Sequence, residues 1–271
     1  MNLRYIVLSA YHSDFDDEFS VIFNDNTRFV SNWLSRRIRQ FKIPTDGSYK
    51  MLYVGIHSND NHTKIIQSAN VLETYVMFSH EDMESYLAIK DKAILFEKYL
   101  SILETGYRQA AEMKDVPIKE LLSIHQEFRE LGYRNEWNFK KVWLKEEGLK
   151  LSFDCSLTMD AFSLHLTVRG MKGKQLARDC ILKTFPDEIL YNKNLRKLTL
   201  LSDKIVILDF LNHPFMEIET KGLGAGIIKY KVLDQDFKQY LAENPDCSAR
   251  IEAEIRENAS LLPAAPRTPA V

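Results

Sequence analysis

Cysteine is scarce in this chain and poorly placed for chemistry. Cys155, Cys180 and Cys247 are far apart and odd in number. No CxxC or Cys/His spacing suggests a zinc site, and a reducing cytoplasm is the expected setting. A surplus of one charge is also missing. Against 36 Lys and Arg stand 38 Asp and Glu, so the net charge is −2 and the pI about 6.4. That excludes a whole-protein basic field for nucleic acid and a strongly acidic nucleic-acid mimic. Long apolar runs are absent too. Tyr5-Ile6-Val7-Leu8 is short, and Asp14, Asp16, Asp17 and Glu18 soon follow, so neither a signal peptide nor a membrane span is expected.

Recognisable chemical motifs are equally thin. No G-x-S-x-G marks a nucleophile elbow. Gly222-Leu223-Gly224-Ala225-Gly226 resembles half a phosphate loop, but strand-like Ile227-Ile228-Lys229-Tyr230 follows and no Lys-Ser/Thr pair completes it. Asp14-x-Asp16-Asp17-Glu18 lacks the glycine and distal glutamate of a calcium loop. Cys180 stands beside Asp179, which raises rather than lowers a thiol pKa. No catalytic residue and no cofactor is assigned.

What is present is globular: 271 residues, 45% hydrophobic and 27% charged, enough for one large domain or two modest ones. The clearest stretch is Leu149-Lys150-Leu151-Ser152-Phe153-Asp154-Cys155-Ser156-Leu157, which alternates apolar and polar residues. Phe162, Leu164, Leu166 and Val168 then alternate with Ser163, His165, Thr167 and Arg169. Such alternation predicts an antiparallel hairpin with one apolar face. Its polar face is expected to be open to solvent, and Cys155 to be a small core residue.

Before it, strands are expected at Leu3–Ala10, Phe19–Phe23, Tyr49–Ile56, Lys64–Ala69 and Val71–Phe78. Phe29, Val30, Trp33, Leu34, Ile38 and Phe41 predict the apolar seam of a helix ended by Pro44 and Gly47. Ser79 and Asp82 predict a capped helix from Glu81 to Met113, interrupted only at Gly106. Another helix runs from Pro117 to Gly132. Later, Glu146-Glu147-Gly148 and Gly170-Met171-Lys172-Gly173 predict turns. Lys174–Phe185 fits a strand or a helix. A second hairpin is expected over Leu198–Phe210, and strands at Met216–Thr220 and Ile227–Leu233. Short helices at Asp236–Asn244 and Ile251–Glu257 precede a tail with disordered composition. The expected fold is α+β. A mixed strand and helix lobe spans 1–133, a mainly antiparallel β lobe 134–257 and a tail 258–271, the lobes forming one cooperative unit.

Three function classes follow. The motif-poor sheet with charged turns suits a protein-binding protein, an intracellular inhibitor or immunity-type protein that covers the functional surface of a toxin or enzyme. Lys150, Asp154, His165, Arg169, Lys172 and Lys174 are its candidate contacts. A metal-dependent hydrolase is the alternative. His57, Asp60 and His62 offer two imidazoles and a carboxylate after a strand, and His12 and Asp14 follow another. If those strands lie parallel and adjacent, both loops meet at one sheet edge, where ligands often bind in open α/β sheets. The third class, a nucleic-acid or ligand-binding regulator, would use Arg36, Arg37, Arg39 and Lys42, though these read as the wet face of a helix.

Overall fold

The computed structural model describes residues 1–11, 13–58 and 65–234. The helices expected at Asp236–Asn244 and Ile251–Glu257, and the tail, lie outside these residues. The architecture is α+β, in two compact units. Of the described residues, unit 1 comprises Met1–Asn135 and Leu157–Asp160, and unit 2 comprises Glu136–Ser156 and those from Ala161 onward.

Unit 1 opens with β1 (Tyr5–Ala10), α1 (Asp17–Phe41) and β2 (Met51–His57). The hairpin β3 (Ile65–Ser68) and β4 (Val71–Met77) follows, then α2 (His80–Ala88), α3 (Lys92–Ala110) and α4 (Ile118–Glu130). The sheet order is β1-β2-β4-β3. β1, β2 and β4 run parallel, and β3 lies antiparallel to β4.

The strand expected at Phe19–Phe23 is instead the start of α1. Asp16 caps it, its carboxylate accepting from the Phe19 amide at 2.7 Å, and Asp17 and Glu18 suit the positive end of the helix dipole. Phe19, Phe23, Thr27, Val30, Leu34 and Ile38 then recur at helical spacing and are all buried. Phe19, Phe23, Phe78, Tyr86 and Tyr99 form one aromatic cluster. Phe41, expected in this seam, is exposed and lies under the Arg37 guanidinium.

α1 also serves β1 along its unpaired edge. Ser35 Oγ accepts from the Ile6 amide and donates to the Ile6 carbonyl, at 2.9 and 3.1 Å. Ser31 Oγ accepts from the Leu8 amide, Thr27 Oγ1 donates to the Leu8 carbonyl, and Asn24 Oδ1 accepts from the Ala10 amide. Four residues of helix rise about 6 Å and two residues of strand nearly 7 Å, so the two periods stay in step over this length.

The expected long helix from Glu81 to Met113 is two helices. The Ser79–Asp82 capping box starts α2, but the chain turns extended at Ile89, and Asp91 caps α3 through the Ala93 amide. Gly106 does not break α3. It lets the helix approach the sheet, since a Cβ there would sit 2.6 Å from both methyl groups of Val54. Among the described residues no helix is long and apolar enough to cross a membrane.

Unit 2 holds two four-stranded antiparallel sheets. The first is β5 (Asn135–Leu144), β6 (Leu149–Leu157), β7 (Phe162–Arg169) and β8 (Gln175–Thr184), in that order. The second is β12 (Tyr230–Val232), β11 (Pro214–Glu219), β10 (Lys204–Leu208) and β9 (Lys197–Leu200). A short helix α5 (Glu188–Asn194), not expected from the sequence, seats Tyr191 on Phe162 with ring centroids 4.0 Å apart. Phe153, Phe162, Leu164, Leu166 and Val168 are buried, as alternation requires. Gly222 to Gly226 is a turn around a short 3-10 segment, with both end glycines at positive φ.

Candidate functional site

The polar face of β6, β7 and β8 is not flat. Glu136, Asp154, Ser156, His165, Thr167, Arg169 and Arg178 line a concavity of about 280 Å³. Register explains which residues meet there. His165 pairs with Cys180, Thr167 with Arg178 and Arg169 with Gln175. Register shifts fall between Leu164 and His165 and between Val168 and Arg169, so Ile181 and Leu176 are extra residues on β8. The extra Ile181 lets it and Leu182 both turn inward while Arg178 and Cys180 stay on the polar face.

On the β5 and β6 side, Ser152 Oγ donates to Asp154 Oδ1 at 2.9 Å, and the Asn138 amide donates to the same oxygen at 2.8 Å. Arg169 and Arg178, on the β7 and β8 side, differ. Among the described residues neither guanidinium has a carboxylate within ion-pairing distance. Between the two sides, His165 is half-buried. Burial, and then the Arg178 charge, push it below the ordinary histidine value, against the nearby Asp154, Asp179 and Glu136. Burial likewise raises the Cys180 thiol, so it is no ready nucleophile.

Of the candidate contacts, Asp154, His165 and Arg169 line the concavity. Lys150 is exposed near Trp143, its Nζ 5.9 Å from the ring centroid. Lys172 and Lys174 are exposed at the β7–β8 turn. Ser152 and Thr167, expected to face solvent, are 7% and 2% exposed: Thr167 lines the hollow, and Ser152 is bonded to Asp154 and Asn138. Arg178 and Glu136 were missed. Arg178 lies in the strand whose alternation the two extra residues disguise.

A second constellation sits at the carboxyl ends of β1 and β2, which are parallel and adjacent. His57 Nδ1 lies 3.0 Å from Asp14 Oδ2, and both side chains are buried. The Ser58 amide donates to the same oxygen at 3.2 Å. Tyr11 stacks on the imidazole with centroids 4.6 Å apart, and Tyr75 meets it edge-on. Burial alone would raise the Asp14 carboxyl. The hydrogen bonds from Ser58, Ser13 and His57 outweigh it and hold the group below its usual value. His12, Asp60 and His62 lie outside the described residues. Among those that are described, no three His, Cys, Asp or Glu side chains converge on a metal site.

The arginines of α1 are largely committed to structure. Arg36 donates to Asn135, Arg37 pairs with Glu127 at 2.6 Å and Arg39 donates to the Arg4 carbonyl.

No family model and no curated protein matches the chain. Among solved structures, one similar chain is that of a mutant of S. aureus TarM in complex with Fondaparinux, alpha-GlcNAc-glycerol and UDP. It shares 14% identity over 84% of this chain and 39% of that one, with a TM-score of 0.11. A likeness at that level carries no argument about fold or activity.

Proposed function

We propose that the chain is a non-enzymatic protein-binding protein of the inhibitor or immunity type, acting inside the cell by covering a partner's functional surface. The polar face of β6–β8 is its recognition surface. One observation carries this reading: a polar hollow in a sheet, with two arginines that form no ion pair among the described residues. Arginine and a partly desolvated hollow are what interface hot spots use, since a few anchored contacts supply most of the binding energy. The test fills the hollow. Ser156→Trp places bulk at a half-buried lining position. Tagged wild-type protein should retain a specific partner from its native host, and the variant should lose it with an unchanged melting temperature. Equal retention by both would sink the proposal.

The Asp14–His57 pair supports a second reading, a metal-dependent hydrolase at the carboxyl edge of β1 and β2. A carboxylate on Nδ1 orients an imidazole and fixes its tautomer, the arrangement that metal-ligating and catalytic histidines share. This reading expects stoichiometric zinc or manganese after mild purification, lost in His57→Ala. Metal content unaffected by that substitution counts against it.

A further inference from the structure

We infer that Arg169 and Arg178 form the anchor of the polar face and that they take a carboxylate borne by an acidic stretch of the protein partner. This rests on the partner-binding reading above. Thr167 pairs directly with Arg178, and Arg169 is two residues along β7 on the same face. The two arginines are therefore diagonal neighbours, about 7–8 Å apart at the backbone, a span that side chains of this length close easily. Several other arginines are consumed internally: Arg37 by Glu127, Arg108 by Glu104 and Arg129 by Glu97. In the hollow the donors of two guanidiniums remain for a ligand. Lys172 and Lys174, exposed at the adjoining turn, extend the positive field toward an approaching acidic segment.

The negative groups of the hollow choose among anions. Asp154 and Glu136 line the same concavity. They penalise a dianionic phosphate more than a single carboxylate. The guanidinium fork can donate two parallel hydrogen bonds to that carboxylate. A nucleic-acid backbone would require a long basic track, whereas this positive surface is confined to one hairpin.

The experiment uses the full chain and a fluorescently labelled hexaglutamate peptide, followed by anisotropy at low salt. Binding should be saturable. It should weaken at least tenfold in Arg169→Gln/Arg178→Gln and less in Arg169→Lys/Arg178→Lys, which keeps the charge but not the fork. Equal binding by the glutamine variant would overturn the assignment. Tighter binding of a matched phosphoserine peptide, or displacement by a single-stranded oligonucleotide at lower concentration than by unlabelled hexaglutamate, would overturn it as well. Partner capture separates the two levels of the argument. If Ser156→Trp releases the native partner but the glutamine variant retains it, the anchor is wrong and the binding face stands. If Ser156→Trp retains it, the face itself fails.

Discussion

In unit 1 the hydroxyls and amides of Ser35, Ser31, Thr27 and Asn24 turn toward β1, whereas in unit 2 the polar residues of β6, β7 and β8 turn toward an open hollow. The charges follow suit. Unit 1 pairs Arg37 with Glu127, Arg129 with Glu97 and Asp14 with His57. Unit 2 leaves Arg169 and Arg178 without an ion-pair partner among the described residues. Polar groups that satisfy their own fold are costly to remove and have little left for a ligand. Groups held at a surface without partners contribute little to stability and are the ones available for recognition. The difference separates scaffold from candidate surface without reference to any relative.

Substitutions in unit 1 should therefore register as stability and those in the hollow as binding. The largest effect is expected at Gly106. Gly106→Val drives side-chain carbon into the methyl groups of Val54, and overpacking of this kind costs about 3 kcal/mol. Urea denaturation should show the loss, and Val54→Ala in the same chain should restore part of it. No recovery in the double variant would show that the close approach is not the cause.

His125 comes next. It is buried in α4 beside Tyr107, and burial pushes its pKa down to about 4 from 6.5. Between those values the unfolded chain binds more protons than the folded one. Stability from the neutral imidazole is thus complete above pH 6.5 and drains as the pH falls toward 4, by about 2 to 3 kcal/mol. Thermal melts across that window should slope downward on the acid side, and more steeply than those of His125→Phe. Parallel slopes for the two proteins would contradict the assignment.

Ser35→Ala should cost about 2 kcal/mol, since it strands the buried Ile6 amide and carbonyl together. Faster amide hydrogen exchange at Ile6 is the specific sign, as a cavity elsewhere would leave that amide protected. The smallest stability change belongs to Arg169→Gln/Arg178→Gln, within about 0.5 kcal/mol, as expected for exposed side chains that form no ion pair among the described residues. A loss of several degrees in melting temperature there would erase the contrast between the units.

The strands that kept strict alternation were legible from the sequence. β6 and β7 needed only their period, and with it came Asp154, His165 and Arg169 on the outward face. β8 was ambiguous because Ile181 and Leu176 each add a residue against β7, and a broken period of two imitates a helix. Arg178 was hidden with it. The beginning of α1 was misread because Phe19, Val21, Ile22 and Phe23 are β-prone. Tertiary burial of Phe19 and Phe23 overrides that local preference. The meeting of Asp14 with His57 was foreseeable as a consequence of parallel neighbouring strands. The role of Ser31 and Ser35 was not, because small hydroxyl residues inside a helix carry no signal of the strand edge they serve.

That edge has a consequence for assembly. A strand with unpaired amides and carbonyls invites another chain to add to it, by pairing, swapping or polymerising. With its donors and acceptors taken up by α1, β1 offers no template, so the sheet of unit 1 can grow in only one direction. The opposite margin is β3, four residues long. A peptide that recognised unit 1 by strand addition would have to enter there, and so short a strand gives it few hydrogen bonds to hold.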